Sequence, residues 1–138
     1  MAATWDTITE GDALPELRKT PDVEQLVKYA GGSGDFNPLH YDFSFPQAKE
    51  IGSIIVHGRF KYAALGELVS NWLAHNGRVV RIACQYRGMD LPYKTIVCRG
   101  TVQRKWQEGG EKRAELEIWT ENCEGKKTTP GTAVVAFR

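Results

Sequence analysis

The chain has 138 residues, with 18 Lys and Arg against 17 Asp and Glu and a formal net charge of +1. That length suits one domain with a real hydrophobic core, and the near-balanced charge argues against broad nucleic-acid or membrane binding. An apolar fraction of 41% with 25% charged residues is ordinary for a folded domain and excludes a disordered or fibrous chain.

Cys84, Cys98 and Cys123 are widely spaced, with no CxxC or Cys/His cluster, so no zinc site is expected. Cys84 and Cys98 fall in strand-like runs, where reduced, buried thiols are expected. There is no apolar stretch long enough for a membrane span and no signal-peptide core, so the expected compartment is the cytoplasm.

In chain order, residues 4–8 suggest a short strand before the turn-like Glu10-Gly11-Asp12, and Leu14 to Lys19 reads as extended. Thr20-Pro21-Asp22 predicts a helix start, with Thr20 as N-cap and Pro21 in the first helical position. Val23, Leu26, Val27 and Ala30 follow at helical spacing, and Gly31-Gly32 is the expected stop. Residues 33–42 form a polar turn, and a short helix over Phe45 to Glu50 is stopped by Gly52. The long helix runs from Gly58 to about His75, with Leu65, Leu68, Val69 and Trp72 as its apolar stripe and Gly77 just past its end.

Beyond Gly77 the period changes to two. Val80, Ile82, Cys84 and Tyr86 alternate with Arg81, Ala83, Gln85 and Arg87. Gly88 and Pro92 mark a bend. Residues 95–106, 113–121 and 132–138 predict three more strands, with Gly109-Gly110 and Glu124-Gly125-Lys126 as hairpin turns. Helices first and antiparallel strands second define an α+β class: one curled sheet around a long helix, a single domain over residues 1–138. A sheet of this kind leaves an open edge, which a dimer would cover.

Asp35 and His40 carry the candidate chemistry. Five residues apart on an α-helix they would face about 140° away from each other. In a turn they can converge, and Gly34 permits a bend while Pro38 pushes Asn37 toward an extended conformation. A carboxylate and an imidazole aimed at one point can hold and polarise one water, worth roughly 10²–10⁴-fold in rate.

The string around this pair, YAGGSGDFNPLHYD at residues 29–42, resembles the signature of the MaoC-like dehydratases, which include the (R)-specific enoyl-CoA hydratases. Their pattern is close to Y/F-A-x-x-S-G-D-x-N-P-L/I-H-x-D, and IVHG at residues 55–58 opens the long helix where the family has it. The resemblance implies the hot-dog fold and interconversion of trans-2-enoyl and (R)-3-hydroxyacyl thioesters of coenzyme A or a carrier protein, without metal or redox cofactor. It makes Asp35 and His40 the dyad and the Gly58 backbone N–H the donor to the thioester oxygen. Ser33 and Asn37 then brace the loop or assist the dyad, Asp42 is a loop or cap residue, and His57 shapes the start of the helix.

One departure stands out. Where relatives carry an apolar residue after HG, this chain has Arg59, with Lys61 two positions on. Each is either solvated or ion-paired, or it contacts an anionic part of the substrate. Tyr62 and Trp72 border an acyl tunnel or belong to the core. Arg81, Arg87, Lys94, Arg99, Arg104 and Lys105 are candidates for the carrier's phosphates. The alternatives are a hot-dog thioesterase, or the active subunit of a heterodimeric dehydratase or thioester-binding partner; a homodimer is the default.

Overall fold

The computed structural model describes residues 2–138. In chain order the elements are β1 (Leu17–Lys19), α1 (Val23–Ser33), α2 (Pro46–Ile51), α3 (Gly58–Leu73), β2 (Gly77–Cys84), β3 (Ile96–Glu108), β4 (Glu111–Glu121) and β5 (Lys127–Phe137). The strands make one antiparallel sheet in the order β1-β3-β4-β5-β2. Register shifts at Val79/Arg81, Val102/Arg104 and Thr120/Glu121 help it curl. It wraps α3, which touches all five strands.

The alternating apolar rows of the strands meet the α3 stripe in one core. Leu65, Leu68, Val69, Trp72 and Leu73 pack against Cys98, Val102, Leu116, Ile118, Val135 and Phe137. Truncating a leucine such as Leu65, which is fully buried, costs about 2–5 kcal/mol. A second cluster, Leu26, Ala48, Ile54, Val56, Phe60 and Ile96, ties α1 and α2 to the start of α3. This smaller core holds the loop that carries Asp35 and His40. Among the described residues no helix is long and apolar enough to cross a membrane.

Several local expectations are corrected. Residues 5–7 form a turn, not a strand, because the Thr7 hydroxyl accepts from the Thr4 N–H and donates to the Thr4 carbonyl. The N-cap of α1 is Asp22, whose carboxylate accepts from the Gln25 N–H at 2.8 Å. Thr20 instead shares a hydrogen bond with Thr95, which leaves Pro21 ahead of the cap. Gly31 and Gly32 lie inside α1, and the stop is Gly34, left-handed at φ 77° with its N–H donating to the Ala30 carbonyl.

Helix α3 stops at Leu73, so His75 lies outside it and exposed. Gly77 opens β2, where a Cβ would collide with the Ala136 carbonyl oxygen. The bulge at Val79/Arg81 turns Val80 outward, while Val79 and Ile82 face the core. Tyr86 lies beyond the end of β2, exposed rather than on an inner row.

Candidate active site

The loop after α1 is braced by its own side chains. The Asp35 N–H donates to Ser33 Oγ at 3.2 Å, and the Asn37 N–H donates to Asp35 Oδ1 at 3.3 Å. Asn37 Oδ1 accepts from the Leu39 N–H at 3.1 Å and caps a single 3₁₀ turn over Pro38–His40. Tyr41 donates its hydroxyl to the Phe36 carbonyl. Asp42 accepts from both the N–H and the hydroxyl of Ser44, which holds its carboxyl below the usual range. Ser33, Asn37 and Asp42 are therefore all engaged in shaping the loop.

That shape brings the pair together. His40 Nε2 lies 3.8 Å from Asp35 Oδ2. His40 Nδ1 is 2.9 Å from the Ile55 carbonyl, which can only accept, so Nδ1 carries a hydrogen and Nε2 is the ring nitrogen that faces Asp35. A gap of 3.8 Å is long for a direct hydrogen bond. It lets one water, about 2.8 Å from each atom, sit at the apex of a triangle with them. The histidine is buried, whereas the Asp35 side chain is 32% exposed, so the pair is reached from the carboxylate side.

His57 is the residue whose involvement sequence reasoning understated. It stands at the N-cap of α3, as expected for a residue shaping the start of the helix, but its side chain does not cap. Its ring stacks on His40 with centroids 4.0 Å apart and planes at 21°. Nε2 donates to the Asp35 backbone carbonyl at 3.3 Å. Burial, and then the proximity of His40, push the His57 imidazole below its ordinary value. With the hydrogen on Nε2, the buried Nδ1 has no hydrogen-bond partner. Asp35, His40 and His57 offer ligand atoms within 4.8 Å of one another. His57 Nε2, however, is engaged with the Asp35 carbonyl. This geometry suits a water on the first pair better than a metal among three.

The Gly58 and Arg59 N–H groups, at the first two positions of α3, meet no acceptor among the described residues, as expected of a helix start. The Tyr86 ring lies over Gly58, where a Cβ would stand 3.0 Å from its atoms. Tyr86 was not a candidate from sequence, since a residue so far along the chain gives no local signal of this contact. It separates two open clefts. One, of about 390 Å³, is lined by Val56, Gly58, Lys61, Tyr86, Arg87 and Met89. The other, of about 600 Å³, is lined by Tyr29, Arg59, Tyr62, Gly66, Ile82 and Tyr86.

Lys61 resolves as an interior ion pair. Its side chain is 2% exposed, and Nζ donates to Asp90 Oδ2 at 2.9 Å and to the Gly88 carbonyl at 3.0 Å. Thr128 also donates to Asp90 Oδ2. The pair anchors the 85–93 loop, and the Asp90 carbonyl accepts from the Val56 N–H beside the site. Tyr62 donates its hydroxyl to the Ile82 carbonyl and walls the larger cleft, whereas Trp72 belongs to the core against Phe137. Of the other cations, Arg99 pairs with Glu16 and Glu121, Arg104 with Glu115, and Lys105 with the Trp5 carbonyl. Arg87 donates to Gln85 at the mouth of the smaller cleft, and Arg81 and Lys94 are exposed.

A curled antiparallel sheet around one helix, with this loop at the helix start, defines the hot-dog class. Residues 4–124 match the family model described as MaoC like domain. The chain belongs to this MaoC-like family.

Among curated relatives, it is 31% identical over 96 residues to fatty acid synthase subunit beta of Saccharomyces cerevisiae, covering 68% of this chain but only 5% of that subunit. The (R)-hydratase from A. caviae involved in PHA biosynthesis superposes with a TM-score of 0.85 at 20% identity, covering 96% of this chain and 98% of that one. A chain of the ChsH1-ChsH2 complex from Mycobacterium tuberculosis gives a TM-score of 0.79 at 22% identity, covering 94% of this chain and 98% of that one. At such identities these structures speak to fold.

Proposed function

We propose that this chain, as one domain over residues 1–138, hydrates trans-2-enoyl thioesters reversibly to (R)-3-hydroxyacyl thioesters, with Asp35 and His40 as the catalytic pair. The observation that carries the reading is the 3.8 Å approach of His40 Nε2 to Asp35 Oδ2 beside the open N–H groups of Gly58 and Arg59. The water held by the pair adds its oxygen to C3 while His40 Nε2 accepts the proton it sheds. That proton passes from His40 to Asp35, which delivers it to C2 and returns to its carboxylate form, so the pair ends as it began. Charge that gathers on the thioester oxygen as an enolate is met by the Gly58 N–H, a preorganised donor at a helix start. This chemistry requires no metal or redox cofactor; coenzyme A or an acyl-carrier protein serves as the substrate's carrier.

The sheet leaves β2 with one unpaired edge among the described residues. Phe36, Phe43, Tyr86 and Met89 are exposed around the loop and the clefts. Both features support a dimer, whether of identical chains or of two different ones, the latter being the arrangement named for the ChsH1-ChsH2 complex. The test is direct. Incubation of the purified protein with crotonyl-CoA should remove the conjugated enoyl absorbance and yield the (R)-3-hydroxy ester. Release of free thiol without hydration would replace this reading with a thioesterase.

A further inference from the structure

Two cations stand in the first turn of α3, and only one of them is accounted for. Lys61 turns inward to Asp90. Arg59 turns outward, exposed, and no carboxylate or carbonyl accepts from it among the described residues. It stands in the cleft of about 600 Å³ whose other walls include Tyr29, Tyr62 and Tyr86. One of these hydroxyls is engaged, Tyr62 with the Ile82 carbonyl.

The Tyr29 hydroxyl has no hydrogen-bond partner among the described residues. Burial pushes the pKa of the Tyr29 phenol up, the Arg59 charge opposes the rise, and the Asp35 charge adds to it. The Tyr29 ring sits edge-on to His57 at 4.9 Å, and His57 stacks on His40. Tyr29 thus stands between the cleft and the stacked His57 and His40 rings, and the unpartnered donors of the cleft include a guanidinium fork and a phenol.

We propose that Arg59, assisted by the Tyr29 hydroxyl, binds an anionic group of the thioester substrate, and that this group is a carboxylate on the acyl chain. The site then selects monothioesters of dicarboxylic acids over plain fatty acyl thioesters. A planar fork with a phenol beside it matches the two oxygens of a carboxylate. A phosphate of the carrier offers the same oxygen chemistry, and esters with and without that phosphate separate the two sources. The proposal rests on the thioester hydratase reading but is measured without turnover.

Adipoyl-CoA and hexanoyl-CoA are saturated and cannot be hydrated, so calorimetric titration reads binding alone. The wild-type protein is expected to bind adipoyl-CoA about tenfold more tightly, the range of one charge-assisted contact at a partly exposed site. Arg59→Met should erase the preference, and Arg59→Lys should keep part of it.

If the bound anion is instead the carrier's phosphate, Arg59→Met weakens both CoA esters equally and spares the phosphate-free N-acetylcysteamine esters. That outcome keeps anion binding by Arg59 and reassigns its source. Equal affinity for all esters in wild type and variant, or an equal loss on all of them, overturns the proposal. Hydration of trans-2-hexenoyl-CoA and of its ω-carboxylated counterpart, followed separately, reports on the hydratase reading: absent hydration of both with an intact binding preference sinks that reading and not this one.

Discussion

Replacing Lys61 by methionine keeps the length of the side chain and deletes its charge. Asp90 is then left 3% exposed with only the Thr128 hydroxyl, 2.7 Å away, to answer its carboxylate. Removing one partner of a buried pair costs about 3–5 kcal/mol, because the other charge stays desolvated. That is a large share of the roughly 5–15 kcal/mol that holds a domain together, and it lowers Tm by on the order of 10 °C. Urea denaturation of Lys61→Met, Asp90→Asn and the double variant measures the coupling. Each single change should be costly, and the double variant should recover at least about 1.5 kcal/mol relative to the sum of the two. Because the pair anchors the loop that sets Tyr86 over Gly58, hydratase activity should fall in Lys61→Met even where the protein is fully folded. A loss below about 1 kcal/mol with additive singles would refute the buried-pair argument and return Lys61 to the role of a solvated or substrate-facing cation.

Two further outcomes follow from the same packing. His57 is held below its ordinary value near 6.5, so the unfolded chain binds more protons than the folded one in the window just below that value. Its contribution to stability is present above the ordinary imidazole value and is lost as pH falls below it. His57→Phe should flatten the denaturation free energy across that window, and an unchanged slope would show that His57 is not the group responsible. Asn37→Ala removes the cap on the 3₁₀ turn and should cost about 0.5–2 kcal/mol. Its kcat for hydration should fall more than its KM changes, since the loop aims the dyad; wild-type kcat would mean that the turn is held by other contacts.

Legibility in the sequence followed the range of the physics involved. The long helix and the strands were readable because the 3.6 and 2 periods of residues such as Leu65, Leu68 and Trp72, or Leu116 and Ile118, report burial directly. The convergence of Asp35 and His40 was readable because Gly34 and Pro38 are local constraints with local consequences. The helix start was misplaced by two residues since Thr20 and Asp22 both qualify as caps, and Thr95, 75 residues away, decided between them. Lys61 with Asp90, His57 on His40 and Tyr86 over Gly58 are tertiary meetings with no sequence period to announce them. The outward turn of Val80 likewise depends on a bulge that strict alternation cannot foresee.

Everything proposed for the site depends on Asp35 and His40 together activating one water against an enoyl thioester. Crotonyl-CoA hydration by Asp35→Asn and His40→Gln, each first shown to be folded, tests it directly. Both variants should lose roughly 10²–10⁴-fold in kcat, and the double variant little more than the worse single, as expected for groups acting as one unit. Turnover near the wild-type rate in either single variant would contradict the account.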